Sequence, residues 1–253
     1  MTQRVLVTAG AGGIGLAIAE AFAANGARVH IVDVNADAVQ QITRQVSAIS
    51  GTVGDVSKAA DLDTLFCDVR DRLGGLDVLV NNAGVAGATA TVADYPIDTW
   101  NAVVGINLTG TFMVTQRAIP LLKESPAGSI IVMSSLAGRF GYPNRVAYSV
   151  TKWGLVGFAK TLSMELGPFG ITANTIHPGA VEGPRIRAVF EGRAKASGRT
   201  VKEEVDLAMA NQSVKKFVDA ADIAALAVFL AGPHARTISG QMFPIDGDSK
   251  SSS

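Results

Sequence analysis

Val5-Leu6-Val7-Thr8-Ala9-Gly10-Ala11-Gly12-Gly13-Ile14-Gly15 reads as an apolar strand that breaks into a glycine-rich turn and opens directly into a helix. Glycines in such a turn let the backbone bend sharply and approach a ligand closely, and the first turn of the helix offers unpaired N–H groups to a pyrophosphate. Gly10, Gly12 and Gly15 spell G-x-G-x-x-G, a weak signal by itself in a chain with 27 glycines. Its position between a strand and a helix strengthens it considerably. The competing structural reading is a glycine-rich turn that holds nothing.

Outward from this turn the same alternation continues. Short β-branched runs at Arg28 to Val32, Gly51 to Val53, Leu76 to Val80, Ser129 to Met133 and Ile171 to Ile176 are separated by helical patterns. The patterns fall at Ile14 to Asn25, Ala36 to Ser47, Asp61 to Arg72, Thr99 to Lys123 and Val146 to Leu166. Strands alternating with helices imply right-handed crossovers and an α/β fold with a doubly wound, mostly parallel sheet covered on both faces. The regularity stops near Pro184. Residues 185–216 are charged and show no strand, which predicts a small helical lid over the sheet within one domain spanning 1–253. A helix at Ala220 to Leu230 and a strand near Gln241 to Ile245 complete the pattern.

Composition narrows the function. Hydrophobic residues make up 48% and charged residues 17%, as for a globular chain with a substantial core. Lys plus Arg and Asp plus Glu both number 22, so no basic excess points to nucleic acid. Cys67 is the only cysteine and there are three scattered histidines, so neither a disulfide framework nor a metal site is expected. No basic-then-apolar leader and no membrane span is visible, and the expectation is a cytoplasmic protein with no membrane partner. Thr99 to Gln116 carries no charge, and Val146 to Leu166 carries only Lys152, Lys160 and Glu165. Such faces predict pairing between subunits in a homo-oligomer; burial within one chain is the alternative.

Asp33 ends the second strand, where a carboxylate accepts hydrogen bonds from ribose hydroxyls and repels a 2′-phosphate. No Arg or Lys lies between Thr8 and Gly15, and Val34 and Asn35 follow Asp33. NAD is therefore expected over NADP, the competing role for Asp33 being a solvated helix cap. A second constellation comes later. Ser134-Ser135 ends one strand, and Tyr148 and Lys152 stand four apart on the next helix, on one face. A nearby ammonium favours a phenolate, and a lysine on an otherwise apolar helix face needs a partner. A surface Tyr–Lys pair would have the same spacing.

From about Val5 to Gly247 the chain resembles the short-chain dehydrogenase/reductase family. The resemblance is carried by the Thr8 to Gly15 turn, Asn81-Asn82-Ala83-Gly84, Asn107 with Gly110, Ser135, Tyr148 with Lys152, and Pro178-Gly179. It implies a Rossmann fold and an NAD-dependent oxidoreductase that interconverts a secondary alcohol and a ketone. Tyr148 would be the general acid or base, Lys152 its partner and a ligand of the nicotinamide ribose, and Ser135 the hydrogen-bond donor to the substrate oxygen. Asn107 would hold a water in a proton relay. Gly10, Gly12, Gly13, Ile14 and Gly15 would hold the pyrophosphate, Asp33 the ribose, and Asp55 and Val56 the adenine. Asn82, Ala83, Gly84, Pro178, Gly179 and Val181 would complete the cofactor site. The family also suggests a homotetramer.

Three departures stand out. Ala9 occupies the place of the turn's usual first glycine, harmless if its φ is negative. Gly183 replaces a frequent threonine, and Asp248 the second glycine of a C-terminal Asp-Gly-Gly. Substrate contacts are expected from Ser135, Arg139, Tyr142, Tyr148 and Arg185. Arg139, Arg145, Arg185 and Arg187 could meet an anion, or could be ordinary solvent-facing or interface charges. Competing functional readings are an NADPH-type carbonyl reductase, opposed by Asp33, and an NAD-binding protein without catalysis, opposed by the complete set Asn107, Ser135, Tyr148 and Lys152.

Overall fold

Every strand expected from the apolar runs forms, and all pair in parallel. The computed structural model describes residues 2–251, apart from the side chain of Arg185. Strands β1 (Arg4–Thr8), β2 (Arg28–Asp33), β3 (Ile49–Val53), β4 (Val78–Asn81), β5 (Ser129–Met133), β6 (Thr172–Pro178) and β7 (Met242–Ile245) lie in the order β3-β2-β1-β4-β5-β6-β7. The chain winds outward from β1 to β3, then returns to place β4 on the other side of β1. At that reversal the connections after β1 and β4 diverge and leave a crevice at the carboxyl ends of the strands.

The helices are α1 (Gly13–Ala24), α2 (Ala36–Gln45), α3 (Ala59–Leu73), α4 (Ile97–Val104), α5 (Thr111–Lys123), α6 (Val146–Leu166), α7 (Pro184–Ser197), α8 (Val201–Ala210) and α9 (Ala220–Leu230). The two-residue pleat sorts β1 between the two faces of the sheet. Val5 and Val7 pack with Ile18 and Phe22 of α1, Ile42 of α2 and Leu230 of α9. Leu6 packs with Leu65 of α3, Leu122 of α5 and Leu155 of α6. Each such fully buried side chain contributes about 1.5–3 kcal/mol relative to exposure. Polar groups are also sealed into the sheet, among them His30 of β2, which hydrogen-bonds Ser50 Oγ and Thr52 Oγ1, both at 2.8 Å. Burial pushes its pKa down to about 4, so it sits there neutral.

One feature differs from the sequence pattern. The long helix expected over Thr99 to Lys123 is interrupted: between α4 and α5, residues Gly105–Gly110 form a wide i→i+5 turn. Its centre is Asn107, a buried residue whose amide bonds away from the helix, to the Val85 loop and to Thr151. The charged segment near 185–216 forms α7 and α8, and Pro184, Ile186 and Val189 of α7 lie along the crevice.

Candidate active site

The crevice is a cleft of about 410 Å³. At one end the glycine turn forms its wall through Ala9, Gly12, Gly13 and Ile14, next to Asp33. The glycines divide into two kinds. A methyl on Gly10 would lie 2.6 Å from Ile31 Cγ2, and one on Gly15 would run into the Ala9 carbonyl and lie 2.6 Å from Asn82 Nδ2. These two permit the close approach of α1 to the strands. Gly12 and Gly13 have nothing within 4 Å of a would-be Cβ, and Gly13 has φ +53°. They face open space at the start of α1, whose N-terminus no side chain caps. Ala9 has φ +50°, so its methyl sits in the left-handed region and the condition for a harmless replacement is not met. This strains the turn by about 1–2 kcal/mol.

Two side chains hold the turn in place. Asp33 Oδ2 accepts from Ala11 N at 3.1 Å, fixing the carboxylate beside the turn. Asn82 Nδ2 donates to the carbonyls of Thr8 (3.0 Å) and Ala9 (3.1 Å), while Thr8 Oγ1 accepts from the amides of Asn82 and Ala83, both at 2.9 Å. The asparagine loop thus braces β1 against β4 where the crevice opens. Asp55 and Val56 stand outside the cleft wall. Burial works to raise the Asp55 carboxyl, but hydrogen bonds from the Ser57 hydroxyl and amide and the charge of Lys58 hold it below the usual range. Val56 packs under Gly110, where a methyl would lie 3.0 Å from its Cγ2.

At the other end Ser135, Tyr148 and Lys152 line one wall. Ser135, in extended backbone at the end of β5, accepts from Ala137 N at 3.2 Å through its hydroxyl oxygen. Its carbonyl meets His177 Nδ1 at 3.0 Å, and Thr175 Oγ1 meets the other ring nitrogen at 2.8 Å. Burial pushes His177 down to about 4, so a neutral ring holds the Ser135 backbone. Tyr148 lies in the first turn of α6, its ring edge-on to Tyr142 at 6.4 Å between centroids. Lys152 is buried; its Nζ donates to Met133 O at 2.7 Å and lies 5.6 Å from the centre of the Tyr148 ring. Gly84 leaves the space beside it: a methyl there would come within 3.2 Å of Asn107 Oδ1 and 3.5 Å of Lys152 Nζ. Asn107 Oδ1 accepts from Val85 N at 2.8 Å, and its Nδ2 donates to Val85 O (3.1 Å) and Thr151 Oγ1 (3.0 Å). Asn107 therefore pins the loop carrying Gly84 to α6.

Pro178, Gly179, Val181 and Gly183 form the floor after β6, and Tyr142, Ala86 and α7 the remaining wall. The expected substrate residues separate here. Tyr142 is in the wall. Arg139 is outside it, its Nη1 2.7 Å from Asp246 Oδ2, a buried carboxylate more than a hundred residues further along the chain. Arg185 belongs to the first turn of α7, and its side chain lies outside the described part of the structure. Arg145, named in the sequence only among arginines that could meet an anion and not among the expected substrate contacts, lines the cleft and is buried. Its place three residues before Tyr148 was the only local signal.

A doubly wound parallel sheet with a glycine turn at one end of its crevice and a serine, tyrosine and lysine at the other defines a nicotinamide-dependent oxidoreductase. The chain belongs to the short-chain dehydrogenase/reductase family: a family model described as enoyl-(acyl carrier protein) reductase matches residues 9–247. It is an oxidoreductase acting on CH–OH groups. A D-beta-hydroxybutyrate dehydrogenase of Cupriavidus necator is 38% identical over 97% of this chain and 96% of its own. The solved structure of an actinorhodin polyketide ketoreductase with NADPH superposes with a TM-score of 0.92 at 31% identity, covering 97% of this chain and 96% of the other. An NAD+-bound xylitol dehydrogenase gives the same TM-score at 28% identity, covering 97% and 98%. Among the described residues no helix is long and apolar enough to cross a membrane, and no group of His, Cys, Asp or Glu could hold a metal ion.

Proposed function

We propose that the chain is an NAD-dependent dehydrogenase that interconverts a secondary alcohol and a ketone, with Tyr148 as acid and base. The observation that carries this reading is the single cleft joining the open glycines Gly12 and Gly13 to Ser135, Tyr148 and Lys152. The residues present suit a dinucleotide: uncapped N–H groups at α1 for its pyrophosphate, the Asp33 carboxylate for a ribose, and the space Gly84 leaves beside Lys152. Bound nicotinamide would supply the two-electron acceptor at the carbinol carbon.

The remaining chemistry belongs to side chains. Ser135 donates its hydroxyl to the substrate oxygen, with its backbone held by His177. Tyr148 takes the alcohol proton as the phenolate in oxidation, becoming the phenol, and the phenol returns that proton to the carbonyl oxygen in reduction. The Lys152 ammonium, anchored on Met133 O and 5.6 Å from the centre of the Tyr148 ring, would reach the nicotinamide ribose. Asn107 positions the loop above Lys152 and holds the relay water. Asp33 favours NAD because a 2′-phosphate beside its carboxylate would meet like charge. Phe112 of α5 and Val150 and Trp153 of α6 are exposed large apolar side chains. They support a homo-oligomer, in keeping with the family's tetramers, and the single cysteine suits the cytoplasm.

The test follows reduced-nicotinamide absorbance with a panel of secondary alcohols and hydroxy acids, offered with NAD or NADP. We expect turnover with NAD that falls about 10²–10⁴-fold in Tyr148→Phe, while NADH binding, read by fluorescence, persists. Faster turnover with NADP would overturn the role given to Asp33. Tight NADH binding with no turnover of any alcohol would overturn the enzymatic reading.

A further inference from the structure

Among the described residues the charged side chains lining the cleft are Asp33, Lys152, Glu182 and Arg145. Asp33 is tied to the glycine turn through Ala11 N, and Lys152 to Met133 O. Glu182 stands exposed at the mouth. Arg145 is different. It is 94% buried, yet among the described residues it pairs with no carboxylate, the ion pairs being formed by other cations. Its one side-chain hydrogen bond is a long one, Nη1 to Gly87 O at 3.3 Å, and its guanidinium lies 5.9 Å from the Tyr142 ring centre. A guanidinium carries five N–H donors. Those left over are not sealed in protein: among the described residues the only sealed side-chain atom without a partner is Asn81 Oδ1. The free donors therefore open onto the cleft that Arg145 lines.

A buried cation without a counter-charge is costly, and a structure retains one where an anion arrives to pair with it. The position selects which anion. Arg145 caps the start of α6 three residues before Tyr148, about 4.5 Å along the helix axis. Its neighbours are the Gly87 loop and Tyr142, whose ring meets that of Tyr148 edge-on, whereas the open glycines proposed for the pyrophosphate lie at the start of α1. A planar fork matches a planar carboxylate through two parallel hydrogen bonds. We infer that Arg145 reads the carboxylate of the substrate, so that the alcohols this enzyme oxidises are short hydroxy acids with the anion a few bonds from the carbinol carbon. This rests on the dehydrogenase reading above and names its substrate class.

The experiment compares 2-, 3- and 4-hydroxypentanoate with the corresponding hydroxypentanamides, which keep the shape and lose the charge. For the best-placed hydroxyl we expect kcat/KM with NAD to favour the acid by about 100-fold or more. Arg145→Gln should bring that ratio close to one, largely through KM, and Arg145→Lys should restore part of it. Independently of turnover, pentanoate should raise the melting temperature of the NADH-loaded wild type where pentanamide does not, and the difference should vanish in Arg145→Gln. Circular dichroism and the melting curve establish that the variants fold, and the wild-type acid-to-amide ratio needs no variant at all. Equal use of acid and amide, an undiminished acid preference in folded Arg145→Gln, or a stronger preference for 2-hydroxypropyl phosphate would each overturn the inference. If no alcohol, charged or neutral, reduces NAD or NADP, the dehydrogenase reading fails instead, and the pentanoate melting difference still decides whether Arg145 holds a carboxylate.

Discussion

The two ends of the cleft are made of different material. The end proposed for the nucleotide is mostly backbone: Gly12, Gly13 and the uncapped start of α1, with Asp33 as its one charged side chain among the described residues. The substrate end is mostly side chains, brought from β5, α6, the loop after β6 and α7. A backbone site needs only a turn of the right shape, which eleven consecutive residues can supply. A side-chain site needs several elements to meet in register, and its specificity changes when one of them is replaced. This difference explains how one architecture can keep its cofactor while its substrates vary.

Substitutions in the turn probe that contrast most sharply. Gly15→Ala forces a methyl against the Ala9 carbonyl and Asn82, and we expect a stability loss of about 1–3 kcal/mol together with loss of dinucleotide binding. Gly12→Ala places a methyl in open space, in an extended backbone that any residue adopts. Its melting temperature should match wild type while NADH affinity falls. Thermal melting beside NADH fluorescence titration separates the two. Equal behaviour of both variants would mean that the glycine turn has no division between packing and ligand glycines.

A smaller effect compares the halves through their buried histidines, His30 in β2 and His177 in β6. Both are pushed by burial to about 4, below the unfolded value of about 6.5. In that window the unfolded chain binds protons that the native chain refuses, so stability is full above about pH 6.5 and declines as pH falls toward 4. Urea unfolding at pH 7 and pH 5 should show the loss, and His30→Gln should flatten part of the slope. Because His177 holds the Ser135 backbone, its protonation should also disturb the substrate end, whereas that of His30 should affect stability alone.

The smallest expected effect is a gain. Ala9→Gly removes the methyl from a left-handed backbone at the cost of a freer unfolded chain, for a net stabilisation of about 0.5–1 kcal/mol. A melting temperature unchanged or lowered would show that the turn accommodates the methyl without strain.

Much of this was legible in the sequence because it depends on residues close together along the chain. Strand periodicity, the strand–turn–helix at Thr8 to Gly15 and the four-residue spacing of Tyr148 and Lys152 are local patterns, and local geometry turns them directly into structure. The family resemblance extended the reading to Ser135, Gly84 and Gly179, all of which line the cleft. Other features were decided only when distant segments packed. The wide turn at Asn107 reflects bonds to Val85 and Thr151, and the positive φ of Ala9 was not visible in its neighbours. Arg139 and Arg145 look alike in sequence, six residues apart. One meets Asp246, brought beside it by the C-terminal segment that follows β7; the other, among the described residues, meets no acid and lines the cleft. The chain thus determined by itself that it would build a nucleotide-binding sheet with a tyrosine and lysine on one helix face. Only the tertiary structure decided which cation is spent inside the protein and which remains for a ligand, because charge pairing depends on partners that sequence spacing does not specify.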